Sequence, residues 1–156
     1  MCSTSILYIS VWRIEWEVMR PRDHDEVRFI GQICREIELK KSLGKEIGKR
    51  IEDYFGERSH KALNLVEKGS VKRCLFKPSG RVIWEVKGRK STYQVMPNTN
   101  FCSCDDYYFR VMNSKKQLCY HIIAQRIASA LGKFERDEHH DRDYSKITRK
   151  WKKIVK

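Results

Sequence analysis

Apolar residues recur with a helical period through the first half of the chain. From residue 25 they fall three or four positions apart, a spacing that places them along one side of an α-helix. The successive apolar stripes are Val27, Ile30, Cys34, Ile37 and Leu39; Ile47, Ile51, Tyr54 and Phe55; and Ala62, Leu65 and Val66. The stripes predict three helices, with a break near residues 42–44, Ser59 as the N-cap of the third helix and Gly69 at its end.

The apolar period changes to two after residue 70, which is typical of β-strands. The predicted strands are residues 71–76, 82–86 and 91–96. Val82, Trp84 and Val86 are expected on one face of the second strand, and turn-forming residues at 78–80 and 88–90 separate the strands. The pattern therefore predicts an antiparallel meander.

A two-residue period also marks the N-terminal segment. Trp12, Ile14, Trp16 and Val18 alternate with charged residues, as in an edge strand. An alternative interpretation is that translation begins at Met19, so that residues 1–18 do not belong to the native protein. The sequence leaves the two interpretations open.

Four residues in the second half of the chain have the spacing of a metal site. Cys102 and Cys104 form a C-x-C pair, and after fourteen intervening residues Cys119 and His121 form a C-x-H pair. Three thiolates and one imidazole are the ligands of a closed, tetrahedral structural zinc site, which leaves no coordination position for catalysis. The alternative is a set of ordinary buried cysteines with an unrelated histidine. The metal interpretation is favoured, and it predicts one structural Zn2+ in a protein that is not an enzyme.

The residues around the C-x-H pair predict how such a site is built. Positions two apart do not share a face of a helix, so we expect Cys119 just before a helix and His121 in its first turn. Apolar residues between 123 and 131 continue the helix, and Gly132 ends it. The predicted fold class is α+β, with a helical N-terminal half, an antiparallel β-meander and a ββα-like zinc-binding unit ending in a helix.

Four segments follow from these patterns in a chain of 156 residues, about the size of one domain. They are an uncertain N-terminal segment at 1–22, a helical region at 23–68, the meander with the zinc unit at 69–132, and a basic C-terminal tail at 133–156. Within the tail, residues 135–143 mix acidic and basic side chains and are interpreted as a solvated linker, in which His139 and His140 could bind metal adventitiously.

Charge adds a second functional indication. The formal net charge is +13, and the basic residues concentrate in the meander and at the C-terminus. The candidate nucleic-acid contacts are Lys72, Arg73, Lys77, Arg81, Lys87, Arg89, Lys90, Lys150, Trp151 and Lys152. Such density attracts phosphate backbones, and Trp151 could stack on a base. The alternative is that these residues only keep the chain solvated.

Other residues carry weaker indications. Asp105 and Asp106 are interpreted as helix-starting residues. The aromatic residues at 107–109 are expected to pack over the zinc site, with a contact to protein or nucleic acid as the alternative. The scattered Cys2, Cys34 and Cys74 are interpreted as packing thiols rather than ligands. Because neither a secretory leader nor an apolar membrane span is evident, we expect an intracellular protein, cytoplasmic in a prokaryote and nuclear in a eukaryote.

The zinc motif resembles that of the SWIM-type zinc finger. In that pattern an alanine stands three positions after the histidine, as Ala124 does here. The chain from about Tyr54 to Leu131, including "PSGRVIWEVKGRKSTYQV" and "FCSCDDYYFRVMNSKKQLCYHIIAQRIASAL", is similar to the small SWIM-domain subunit of Shu-type recombination complexes. The similarity covers about half the chain, and residues 1–50 and 133–156 lie outside it. The fourteen-residue spacer is a part that the family varies.

This resemblance implies both a site and a role. It implies that the four Cys and His residues bind zinc, and that the protein pairs with a RecA-like recombinase paralogue and assists homologous recombination and repair. Single-stranded or branched DNA is then a plausible further partner. Two alternatives remain: a stand-alone zinc-containing nucleic-acid-binding protein linked to transposition or transcription, and an enzyme such as a nuclease. The enzyme alternative has the least support, because phosphate loops and nucleophile motifs are not evident.

Overall fold

Three helices form the first part of the described chain, as the apolar spacing predicts. The computed structural model describes residues 25–113 and 116–152, and the predicted edge strand around residues 12–18 lies outside them. The helices are α1 (Glu26–Lys40), α2 (Lys45–Phe55) and α3 (Glu57–Glu67). The Asp25 carboxylate caps α1 by accepting a hydrogen bond from the Arg28 backbone N–H at 3.1 Å. Isoleucines from α1 and α2 are fully buried where the helices meet the rest of the core.

Two details of the helical prediction are wrong. Leu39 is 85% exposed, because it stands two positions after the buried Ile37 and therefore lies on another side of α1. Ser59 is not an N-cap but lies buried inside α3, where its hydroxyl donates to the Gly56 carbonyl oxygen. Gly56 has a φ of 58°, a conformation that glycine adopts without strain, and α3 therefore follows α2 without a linker.

A mixed five-stranded sheet follows the helices. Its strands are β1 (Val71–Lys77), β2 (Arg81–Lys87), β3 (Thr92–Met96), β4 (Phe101–Cys102) and β5 (Glu135–His140). The spatial order is β4-β3-β2-β1-β5, and β1 to β4 pair antiparallel in sequence order. The structure therefore confirms the predicted α+β class and its meander, and it adds a parallel strand at the outer edge.

That edge strand contradicts the prediction of a solvated linker at 135–143. β5 pairs in parallel with β1, and none of its side chains is fully buried. Its position is stabilised by the backbone ladder and by charge pairs with β1, such as Lys77 Nζ to Glu138 at 2.6 Å and Lys72 Nζ to Glu135 at 3.0 Å. Because the strand buries little apolar surface, it lacks the hydrophobic alternation by which strands are recognised.

The segment predicted as a basic tail continues from β5 into helix α5 (Tyr144–Lys152). Tyr144 and Ile147 of this helix pack against a small core on one face of the sheet, formed by Cys74, Phe76 and Ile83. The last part of the described chain is therefore an integral layer of the fold. Among the described side chains of this helix, Tyr144 and Ile147 are the apolar ones, and the basic residues around them suggested a tail in the sequence.

The opposite face of the sheet carries the main core. Helix α4 (Tyr120–Leu131) packs against the strands on one side and against α1 and α3 on the other. Trp84 and Val86 are buried there as predicted, but Val82 is 40% exposed because it lies at the end of β2 beside the 78–80 turn. Among the described residues, no helix combines the length and apolar character needed to cross a bilayer.

Candidate metal centre

The structure brings Cys102, Cys104, Cys119 and His121 together in the main core. Their potential ligand atoms all lie within 4.8 Å of one another, and each of the four side chains is buried. Cys102 ends β4 and Cys104 follows in the next turn, while Cys119 is the N-cap of α4 and His121 stands in its first turn. The positions expected for Cys119 and His121 relative to the helix are thus confirmed.

The chemistry of this cluster fits a zinc ion. A tetrahedral site with metal–sulfur bonds of about 2.3 Å has ligand–ligand edges slightly below about 4 Å, which the observed separation limit accommodates. Neither ring nitrogen of His121 makes a hydrogen bond of normal geometry, although the side chain is buried and lies close enough to Cys104 to help lower the pKa of that thiol. A buried unpaired polar group costs about 1–3 kcal/mol, and a metal–nitrogen bond would remove this cost for the coordinating nitrogen.

The three thiols perturb one another strongly. Hydrogen bonds from Cys102 and Cys119 lower the pKa of Cys104, whereas hydrogen bonding to its neighbours raises the pKa of Cys102. Burial raises the pKa of Cys119. Ionisation of one thiol is therefore favoured, and ionisation of the other two is disfavoured. This behaviour is expected of thiols that share a pocket whose negative charge a divalent cation would neutralise.

The C-x-C turn is held by the backbone of β3. The Ser103 hydroxyl accepts a hydrogen bond from the Gln94 N–H at 2.9 Å, and the Ser103 N–H donates to the Gln94 carbonyl at 3.0 Å. The Cys104 sulfur also accepts from the Tyr107 N–H at 3.2 Å. Because Ser103 points toward β3, Cys102 and Cys104 on either side of it both face the core.

A buried ion pair positions the other half of the cluster. Glu26 accepts hydrogen bonds from the backbone N–H groups of Gln117 and Leu118, both at 2.9 Å, and pairs with Arg58 at 2.5 Å. Arg58 in turn donates to the Leu118 carbonyl at 2.6 Å. Burial acts to raise the pKa of Glu26, but Arg58 and the two N–H groups outweigh it, and the net pKa is lowered.

Sequence reasoning missed this pair. The side chains of Glu26 and Arg58 are only 8% and 11% exposed, and together they fix the two residues that precede Cys119. Two oppositely charged residues 32 positions apart carry no local signal, since neither periodicity nor spacing connects them. Their position, in contrast, ties the N-terminal helices directly to the metal cluster.

Gly88 was predicted as a turn residue, but its role at the site is steric. A Cβ atom at this position would lie 2.8 Å from His121 Nε2 and 2.6 Å from the Tyr93 ring. Both distances are shorter than ordinary van der Waals contact, and both neighbours are buried. The β2–β3 turn can approach the imidazole this closely only because residue 88 has no side chain.

The aromatic residues after the C-x-C turn divide into two groups. Tyr107 packs on the core and contacts the Phe101 ring with centroids 5.3 Å apart, as expected of a residue covering the cluster. Tyr108 and Phe109 are 65% and 64% exposed, so the prediction that they pack over the site is wrong. They lie on a π-helical turn (Tyr107–Val111) that directs them outward.

A second group of potential ligands lies on the other face of the sheet. Cys74, Asp137 and His139 place one ligand atom each within 4.8 Å of the others. Cys74 is buried in the small core, as its interpretation as a packing thiol predicts, and burial raises its pKa to about 11. Asp137 already contacts His139 Nε2 at 3.3 Å and Lys72 Nζ at 3.7 Å.

The candidate nucleic-acid residues do not form one surface. Lys72 and Lys77 pair with carboxylates of β5, and the Arg81 guanidinium lies 5.0 Å from the Tyr144 ring centroid. Arg73 is half-buried, and Lys150 is exposed on α5. The side chains of Trp151 and Lys152 lie outside the described residues.

The remaining three candidates stay together. Lys87, Arg89 and Lys90 are exposed at the β2–β3 turn, the turn that also contains Gly88. Lys87 and Arg89 line a cleft with Lys61 and Lys68 of the α3 region, two cations that are not among the candidate contacts from the sequence. The Lys87 N–H donates to the Ser70 carbonyl oxygen at 2.9 Å, which places Lys68 beside the turn. The packing of α3 against α4 brings Lys61 within 5.9 Å of the Tyr120 ring centroid.

Comparisons with known proteins give a consistent result. The chain is 33% identical over 79 residues to "Zinc finger SWIM domain-containing protein 7" of Homo sapiens, covering 49% of this chain and 56% of the relative. It is 30% identical over 95 residues to the protein of that name in Danio rerio, covering 60% of this chain and 67% of the relative. An uncharacterized protein of Archaeoglobus fulgidus is 31% identical over 100 residues, which are 63% of this chain and 77% of that protein.

The extent of these matches is limited. The chain spans just over half the length of the human and mouse relatives. No family model matches the chain, and no solved structure matches it. The similarity and the buried ligand cluster together support a zinc-binding protein.

Proposed function

This chain belongs to the SWIM-type zinc-finger family, and from that membership we propose that it is a non-catalytic accessory factor in homologous recombination and DNA repair. Its partner in this proposal is a RecA-like recombinase paralogue, as the resemblance to the small SWIM-domain subunit of recombination complexes implies. We place the protein inside the cell, where such a partner acts.

The observation that carries the proposal is the buried Cys102, Cys104, Cys119 and His121 cluster with its unpaired imidazole. We assign one Zn2+ to these four residues. Four protein ligands complete a tetrahedral shell, and such sites contribute folding free energy rather than an activated water. A structural role for the metal supports a binding protein over an enzyme.

The second ligand group supports a single ion rather than two. Cys74, Asp137 and His139 supply only three ligands, and Asp137 and His139 are half-buried rather than enclosed. Lys72 lies 3.7 Å from Asp137 and competes for its carboxylate. Because the Lys72 ammonium repels a metal cation, it lowers the affinity of the second ligand group for metal. We therefore expect these three residues to make only packing and ion-pair contacts.

An exposed apolar surface on the zinc unit is the proposed partner contact. Tyr108, Phe109 and Met112, here called the aromatic cap, are each about two-thirds exposed. On the described helices α1 to α3, Leu39 is the exposed large hydrophobic residue. An exposed aromatic cluster is typical of protein-binding sites, and the partner is therefore expected at the cap rather than on the N-terminal helices.

Direct binding to purified RecA-like proteins from the same cell tests this proposal. The double variant Tyr108→Ala/Phe109→Ala should weaken binding to one of them at least about tenfold, since exposed aromatic anchors contribute about 2 kcal/mol or more each at such interfaces. Leu39→Ala is the control and should bind as the wild type does. Absence of binding between the wild type and every RecA-like protein of that cell would contradict the proposal.

A second candidate function is stand-alone nucleic-acid binding. The specific observation in its favour is that Lys68, Lys87 and Arg89 line one cleft, whereas Lys72 and Lys77 of β1 pair with carboxylates of β5. Salt-sensitive binding of DNA by the isolated chain would support this function. Weak binding at low salt would count against it.

A further inference from the structure

A cleft of about 1000 Å3 opens between the end of α3 and the β2–β3 turn. The cationic side chains that line it are Lys61, Lys68, Lys87 and Arg89. Only Lys61 has a carboxylate partner in the described part of the chain, Glu57 at 2.8 Å. The one acidic lining residue, Glu135, pairs with Lys72 at 3.0 Å. The cleft is therefore a positively charged surface that the fold leaves largely uncompensated.

The cleft also offers aromatic and polar groups between its cations. Tyr120 is half-buried and contributes ring surface to the lining, and Asn64 and Ser70 provide hydrogen-bonding groups. The Lys61 ammonium lies 5.9 Å from the Tyr120 ring centroid. Cations that flank an aromatic ring are the recurring elements of sites that hold a single nucleic-acid strand.

We propose that this cleft binds a single-stranded nucleic acid, with Lys68, Lys87 and Arg89 contacting phosphates and Tyr120 stacking on a base. The proposal rests on the nucleic-acid-binding function proposed above and assigns it to a site. The cleft volume is at the upper end of the range of small-ligand pockets, about 300–1,000 Å3, and suits a few unstacked nucleotides rather than a duplex.

The cleft shares a wall with the metal cluster. Tyr120 directly precedes His121, and the two rings lie with centroids 4.0 Å apart. Gly88, which also lines the cleft, approaches His121 so closely that no side chain fits between them. A metal that fixes His121 would therefore also fix the Tyr120 ring and the β2–β3 turn, which form part of the cleft wall.

Fluorescence anisotropy with a labelled oligothymidylate and an oligouridylate of equal length tests the site in the full chain. For the wild type, three phosphate contacts predict a slope of about −2 in a plot of log K against log salt concentration, or about a 20-fold loss between about 50 mM and about 200 mM salt. The triple variant Lys68→Gln/Lys87→Gln/Arg89→Gln should bind at least about tenfold more weakly at the lower concentration. Tyr120→Leu should weaken binding with the salt slope unchanged.

The matched control removes the same charge elsewhere. Lys41→Gln/Lys45→Gln/Lys49→Gln replaces three exposed lysines that do not line the cleft, and it should keep the wild-type affinity within about threefold. Zinc content is measured on every variant, so that loss of the metal is not mistaken for loss of contacts. Equal effects of the two triple variants, or an unchanged affinity in the cleft variant, would overturn the cleft assignment. A wild type that binds neither oligonucleotide would instead overturn the nucleic-acid function itself.

Discussion

Glu26 and Arg58 form a nearly buried ion pair that connects α1 to α3, with their closest atoms 2.5 Å apart. The pair also binds the backbone of residues 117 and 118 through three hydrogen bonds. The metal cluster is thus held from two directions, by the β3–β4 hairpin on the side of Cys102 and by the N-terminal helices on the side of Cys119. The N-terminal helices are part of the zinc unit's support rather than a separate module.

Glu26→Gln is expected to destabilise the protein by about 2–4 kcal/mol, because it leaves the Arg58 charge buried without its partner. Urea unfolding with zinc present measures the change. Glu36→Gln provides the control, since Glu36 pairs with Arg50 at 2.7 Å on the surface and its loss should change stability little. Similar losses for both variants would show that the Glu26 pair has no special structural role.

The Glu26 contribution should depend on pH in a defined direction. Its pKa is lowered in the folded protein from an ordinary value of 4.5, so the carboxylate stabilises the fold above that value. This stabilisation is lost as the pH falls below 4.5, the ordinary pKa, and then through the lower pKa of Glu26 in the folded protein. The stability difference between wild type and Glu26→Gln should be full near neutral pH and shrink in acid. A difference that stayed constant between about pH 7 and about pH 4 would contradict this linkage.

Gly88→Ala is expected to lower both zinc affinity and stability, because the new methyl group would lie 2.8 Å from His121 Nε2. Competition with a chromogenic chelator measures the affinity, which should fall at least about tenfold, the usual effect of disturbing groups that orient a metal ligand. Gly48→Ala is the matched control. Nothing lies within 4 Å of its added Cβ, and alanine is favoured over glycine in a helix by up to about 1 kcal/mol. A zinc affinity as high as that of the wild type in Gly88→Ala would contradict the steric role.

Chelation should weaken nucleic-acid binding, because Tyr120 and Gly88 line the proposed cleft and contact His121. Dialysis against a strong chelator followed by anisotropy is the measurement, and added zinc should restore the affinity. The circular dichroism spectrum of the helices is recorded at the same time. Binding that persists without metal would separate the cleft from the zinc cluster.

The sequence predicted those parts of the structure whose signal is local. The helical stripe through Ile47 and Ile51 and the C-x-C and C-x-H pairs lie within short windows, where spacing alone constrains geometry. β5 was missed because backbone pairing and charges stabilise it, not apolar alternation. Glu26 could not be linked to Leu118 because 92 positions separate them and only the packed fold brings them together.

The sequence predicted only part of the basic cleft, because only some of its cations lie close together along the chain. Lys87 and Arg89 stood out in a basic segment, whereas Lys61 belongs to a helix with mixed charges and Lys68 follows the end of that helix. The sequence also could not show that β5 supplies carboxylates to Lys72 and Lys77. The charge pattern along the sequence therefore overestimated the positive charge available at the surface of β1 and underestimated the positive charge near α3.

The zinc content of the purified native chain tests whether Cys102, Cys104, Cys119 and His121 hold a metal ion. We expect one zinc per chain by elemental analysis, no bound zinc in Cys119→Ala, and one zinc retained in Cys74→Ser, which alters the second ligand group. Removal of the zinc should unfold the C-terminal half, since a structural metal supplies folding free energy. A wild-type protein that contains no zinc and whose unfolding is insensitive to chelators would contradict the zinc assignment, as would a Cys119→Ala variant that keeps its metal.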